Sequence, residues 1–146
     1  MIRRYLFMLA LTFILTACST NQTITTGATD DRLSPCPTSP NCVSSLSEDE
    51  SHYVAPLTYK ATPEEAREKL ISIIKSMKRS EIVKAEMNYI HATFKSALFR
   101  FVDDVEFSFD DQRKVIDVRS ASRIGYSDLG VNRKRVEEIR KRFVNP

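Results

Sequence analysis

The sequence predicts an α+β domain, an antiparallel sheet of four to five strands with two helices packed on one face. Two patterns carry that prediction. Apolar and polar residues alternate with period two through four successive stretches between Ser80 and Ser120, and an amphipathic stretch of helical period lies on either side of them. Composition supplies the boundary: 146 residues, 42% of them hydrophobic and 28% charged, make one globular domain. They exclude a disordered chain, a collagen-like repeat and a polytopic membrane protein.

The chain begins with Arg3 and Arg4 and then an almost wholly apolar run, Tyr5 to Leu15. These are the n-region and h-region of a signal peptide covering residues 1–17. At the rise of a helix the run spans about 16 Å, roughly half a bilayer core, too little for a stable transmembrane helix. Leu15-Thr16-Ala17-Cys18 resembles the bacterial lipobox, in which small residues precede a cysteine that is diacylated before cleavage. The resemblance implies a lipid on Cys18, with an ordinary signal peptide and an incidental cysteine as the alternative. Acyl chains anchor through about 0.8 kcal/mol per buried methylene. Ser19 in place of Asp implies sorting to the outer membrane of a diderm bacterium, with the domain facing the periplasm. Loss of the leader removes Arg3 and Arg4 and leaves basic and acidic residues nearly balanced. That speaks against nucleic acid as a partner.

Residues 18–33 read as the lipidated cysteine and a flexible tether, rich in Ser, Thr, Asn and Gln, with a reach of roughly 20 Å. The folded domain, residues 34–146, opens with Ser34-Pro35-Cys36-Pro37-Thr38-Ser39-Pro40-Asn41-Cys42, stiffened by its prolines. In an exported protein Cys36 and Cys42 most simply form a disulfide, worth roughly 2 kcal/mol in the chain-entropy model. Free thiols are the second reading. Zinc is the third, and it needs two more ligands, for which only His52 and His91 are at hand among the histidines. The expected cofactor set is empty.

Tyr53 to Tyr59 forms a short edge strand, where Pro56 is tolerated. Thr62-Pro63-Glu64-Glu65 starts a helix, with Thr62 as N-cap, Pro63 at N1 and Glu65 closing the capping box. Ala66, Leu70, Ile73, Ile74 and Met77 make its apolar stripe. Strands follow at Ser80 to Met87, Tyr89 to Ser96, Asp104 to Phe109 and Lys114 to Ser120, the last two joined by the polar turn Asp110 to Arg113. Val105, Phe107 and Phe109 alternate with Asp104, Glu106 and Ser108, which predicts one buried and one solvated face. The final helix runs from Leu129 or Val131 to Phe143, capped by Asp128 or Ser127, with Leu129, Val136, Ile139 and Phe143 on its apolar side.

The segment Arg119 to Arg135 holds five basic residues against one acid, Asp128. A strand end, two glycines and a helix start come together there. Arg119, Arg123 and Arg133, with Ser120, Ser122, Tyr126 and Asn132, suit a phosphate or carboxylate. The competing reading pairs Arg119 and Arg123 with Asp103, Asp117 or Asp128 as structural ion pairs. This segment and Cys36 to Ser45 together resemble the signature segments of the family catalogued as domain of unknown function 1499, over about Cys36 to Phe143. Membership implies no reaction, cofactor or partner.

No nucleophile motif, metalloprotease motif or phosphate loop occurs. The sequence therefore favours a membrane-anchored, non-catalytic binding or assembly module whose partner is an envelope protein or a small anionic ligand. The alternative is an enzyme acting on an envelope substrate. A histidine beside a carboxylate in a deep cleft would favour it.

Overall fold

The computed structural model describes residues 33–145. The proposed leader, Cys18 and the tether through Arg32 lie outside the described residues. Eight elements follow in order: β1 (Cys42–Ser44), β2 (Leu57–Thr58), α1 (Pro63–Ser76), β3 (Ser80–Ala85), β4 (Tyr89–Lys95), β5 (Val102–Asp110), β6 (Val115–Ser122) and α2 (Val131–Val144). All strand pairs are antiparallel, in the order β1-β6-β5-β4-β3, with β2 also on β6. β1 runs beside Arg119 to Ala121 and β2 beside Val115 and Ile116, so the two share one edge of β6. The sheet is thus six segments but five strands wide.

The helix α1 forms as its sequence dictates. Thr62 accepts from the Glu65 amide and the Glu65 carboxylate accepts from the Thr62 amide, which completes the capping box. Ala66, Leu70 and Ile74 are buried. They join Ile90, Ala92, Val105, Phe107, Ile116 and Val118 of the sheet, and Val136, Ile139 and Phe143 of α2, in a single core. α1 packs against β3 and α2, while α2 packs against β6 and β1.

Several expectations need correction. β1 was not expected, because three residues beside prolines carry no readable period. The edge strand contracts to Leu57–Thr58, and Tyr53 lies outside it, in an isolated parallel bridge to Ser44. The N-cap of α2 is Gly130 in the left-handed region, without a side-chain cap bond of its own. Asp128 nevertheless accepts from the Gly130 and Asn132 amides, at 2.9 and 2.7 Å, and so serves the helix start from two residues upstream. Leu129 precedes the helix with φ 55° and is 85% exposed, so it does not join the core. At the other extreme Leu33, read as tether, is buried.

The largest correction concerns β5. Its two faces are both buried: Val105 and Phe107 on one, Asp104 at 2% and Glu106 at 0% exposure on the other. Register places Thr93 and Ala121 beside Asp104, and His91 and Arg119 beside Glu106. A second, polar layer therefore lies opposite the apolar core.

Candidate functional site, a cleft on the polar sheet face

Each buried acid of that layer is met by a base. Glu106 accepts from the Tyr89 hydroxyl at 2.7 Å and from Arg119 Nη1 at 3.0 Å. Asp104 accepts a two-pronged contact from Arg123, Nε at 2.8 Å and Nη2 at 2.9 Å, while His91 Nε2 lies 2.7 Å from its Oδ1. Burial alone pushes the Asp104 carboxyl up. The hydrogen bonds and positive charge of Arg123 and His91 outweigh it and hold the group at about 2. Burial, reinforced by the Glu106 carboxylate, pushes the Tyr89 hydroxyl well above its ordinary 10.0.

Beside this layer opens a cleft of about 720 Å³. One wall is the proline-rich lead-in, including Ser34, Pro35 and Ser39. The other includes Asp104, Arg119, Arg123 and Ile124. The lead-in is fixed at both ends of its turn: Cys36 and Cys42 are disulfide-bonded, and the Asn41 side chain donates to the Gly125 carbonyl at 2.5 Å. The Cys42 carbonyl lies 2.7 Å from His52 Nδ1, which accounts for that buried histidine. Among the described residues no group of three or more His, Cys, Asp or Glu is placed to hold a metal ion.

Arg119 is the unusual member. It is 7% exposed, its one acceptor among the described residues is Glu106, and its Nε is buried without a partner. A guanidinium has five N–H donors, and buried donors are nearly always satisfied. An unpaired buried donor on a residue that lines a cleft is a group that an acceptor oxygen would stabilise.

The seven residues proposed from sequence do not converge on one point. Strand alternation sends Arg119 to the polar face, while Ser120 meets Asn132 on the other side, at 2.5 Å. Asn132, fully buried, donates to the Asn41 carbonyl at 3.0 Å and to Ser122 at 3.1 Å. It ties α2 to β6 and to the lead-in. Arg133 donates to the carbonyls of Tyr53 and Ser51, at 2.6 and 2.7 Å, and holds the loop between β1 and β2. Tyr126 is exposed. Arg119 and Arg123 remain as neighbours in the cleft, and their acids are Glu106 and Asp104 rather than Asp103, Asp117 or Asp128. Asp103 pairs instead with Arg135 at 2.6 Å, whose guanidinium also lies over Phe94. Asp117 pairs with Arg113.

Sequence reading missed Tyr89, Asp104 and Glu106 as site residues because alternation with Val105 and Phe107 made the acids look solvated. One signal was present. Tyr89, His91 and Thr93 on β4 face Glu106 and Asp104 on β5 at the same two-residue spacing as Arg119 and Ala121 on β6. Glu106, flanked by His91 on one side and Arg119 on the other, marks an ion-pair layer rather than a wetted face.

The fold is thus an α+β domain with an apolar core on one side of its sheet and a buried ionic layer beside a cleft on the other. The chain belongs to the family described as protein of unknown function (DUF1499), whose model matches residues 32–143. No curated protein and no solved structure matches it. Among the described residues no helix is long and apolar enough to cross a membrane.

Proposed function

We propose that the protein is a lipid-anchored envelope module, held through Cys18 on the periplasmic side of the outer membrane, whose cleft binds the carboxylate or phosphate of an envelope ligand. Both helices cover the apolar face of the sheet and leave the polar face free for recognition. The observation that carries the reading is that Arg119, a residue of the cleft wall, has a buried Nε with no partner among the described residues. The pairs Arg119–Glu106 and Arg123–Asp104 cancel in charge, so what remains is donor capacity. Carboxylates and phosphates use a guanidinium fork best. The proposed set accordingly narrows to Arg119 and Arg123; Ser120, Ser122, Asn132 and Arg133 act as the frame around them.

The test has two parts. Mass spectrometry of the membrane fraction is expected to find acyl chains on Cys18, and soluble chain cut after Ala17 without lipid would defeat the anchor. For the cleft, titration with inorganic phosphate and with succinate is expected to shift the Arg119 Nε–H resonance saturably. Arg119→Lys keeps a cation for Glu106 but lacks the fork, and should abolish phosphate and succinate binding read by calorimetry. An unshifted resonance at millimolar ligand defeats the site.

One observation favours an enzyme as second reading. His91 and Asp104 form an imidazole–carboxylate pair, and Asp104 reaches the cleft wall. Binding is preferred because both Asp104 oxygens are already engaged and His91 is not part of the lining. Turnover lost on His91→Gln, with the fold intact, would reverse the preference.

A further inference from the structure

Six of the exposed large apolar side chains sit in two loops at one end of the sheet: Leu98, Phe99 and Phe101 between β4 and β5, and Ile124, Tyr126 and Leu129 between β6 and α2. Leu98 is 79% and Phe99 70% exposed, and the Phe99 ring stacks on Phe101 with centroids 5.4 Å apart. The two loops are neighbours, because Arg123 donates its amide to the Val102 carbonyl and Ser96 closes on Phe101. The turn between α1 and β3 reaches the same end, where Arg79 Nε donates to the Lys95 carbonyl. Exposed cations ring the loops there, Lys78, Arg79, Lys95 and Arg100. Of the acids nearby, Asp103 and Asp104 are buried in ion pairs and Asp128 serves the start of α2; exposed Glu81 lies 3.8 Å from Lys95 Nζ and offsets one of these four cations, leaving the collar net positive.

Two loops of aromatic and aliphatic tips inside a basic collar are costly to leave in water. We infer that this end of the domain docks on a bilayer surface carrying anionic headgroups, with Leu98 and Phe99 inserted at the headgroup and acyl boundary and the collar on the phosphates. A bilayer is favoured over a protein partner by where the chain arrives. β1 begins at this same end, since Cys42 pairs with Ala121 and the Ser122 amide donates to the Asn41 carbonyl. Only fourteen residues separate Cys18 from the first described residue, Leu33. In so far as it invokes that tether, the inference rests on the lipid anchor proposed above. A lead-in that enters β1 at the apolar end keeps that end within reach of a membrane holding Cys18 and raises its effective concentration there.

The chain contains no tryptophan, so Phe99→Trp introduces a single indole in the full chain, and Met87→Trp places one at the opposite turn, between β3 and β4. Both are put on vesicles of phosphatidylcholine and phosphatidylglycerol with brominated acyl chains. The indole of Phe99→Trp is expected to shift to shorter wavelength and lose most of its emission to bromine, while that of Met87→Trp keeps its own. In the Cys18→Ser background, Leu98→Ser with Phe99→Ser should lower vesicle partitioning by about tenfold or more, at unchanged melting temperature. Acylation is read separately by mass. An acylated, vesicle-bound chain with an unquenched indole overturns docking and leaves the anchor standing. An unacylated chain that is quenched sustains docking without the anchor, and one that is not quenched overturns both. A blue shift blind to bromine but dependent on protein concentration marks a second copy on these loops and overturns the proposal.

Discussion

The two faces of β5 are equally dry and held by opposite means. Toward the core, Phe107 touches the levels of Ile90 and Val118 and needs nothing but complementary shape. Toward the other side, Glu106 at the same level is matched by Tyr89 and Arg119. Apolar burial stabilises by roughly 25 cal/mol per Å² with little geometric demand. A buried ion pair loses most of its Coulomb gain to desolvation, and an apolar replacement of equal volume is often as stable. One face therefore explains why the domain folds. The other retains groups that folding alone does not require, and an unfilled donor of Arg119 is among them.

The largest effect is expected on the apolar face. Phe107→Ala should cost about 3 to 5 kcal/mol, since α1, α2 and five strands share that core and none can collapse independently. Chemical denaturation checks it; a loss below about 1 kcal/mol would mean that the core is not continuous across the sheet. Next comes the open edge of the ionic layer. The Arg123 side chain is 42% exposed but Asp104 only 2%, so Arg123→Ala leaves a buried carboxylate with His91 alone. A loss of about 2 kcal/mol is expected, less than for a fully buried pair because water replaces the guanidinium. An unchanged melting temperature, together with lost phosphate or succinate binding, would make Arg123 a recognition residue and not a structural one.

That asymmetry also decides what was legible beforehand. α1 could be read in full because its signals are local: the capping box, Pro63 and the stripe Ala66, Leu70, Ile74 all lie within one element. The four long strands were legible for the same reason, through period two. β1 was not, because pairing of Cys42–Ser44 with Ala121–Arg119 is a tertiary fact with no local period. The ionic layer was misread by an assumption rather than a missing signal: alternation separates faces but does not say that the polar one is wet. The arginine-rich segment was likewise legible as a place and not as a geometry. Ser120 and Arg119 are adjacent in sequence and therefore on opposite sides of the sheet.

Acid pH separates the faces without mutation. Asp104 is held at about 2 in the folded chain against 3.8 ordinarily. Its contribution is therefore complete above pH 3.8 and is lost as pH falls through about 2. The amplitude is on the order of 2 kcal/mol, from the size of that depression. Stability measured across that window should fall in the native chain. In Asp104→Asn the step should shrink by that amount, while Phe107→Leu, which alters only the apolar face, should keep it in full.

The smallest expected stability change comes from the most radical substitution. Glu106→Leu, Arg119→Met and Tyr89→Phe together replace a buried acid, its base and its hydroxyl donor by apolar groups of similar size, leaving no partner orphaned. Stability should stay within about 1 kcal/mol of the native chain or rise, because desolvation of both charges is avoided. Arg119→Met alone strands the Glu106 carboxylate, which is 0% exposed, and should cost about 3 to 5 kcal/mol. If the triple variant is as stable as the native chain and no longer binds phosphate or succinate by calorimetry, the ionic layer is kept for what it binds. If the triple variant unfolds while each single one is mild, the layer is a structural element in its own right, and the polar face owes its composition to the fold.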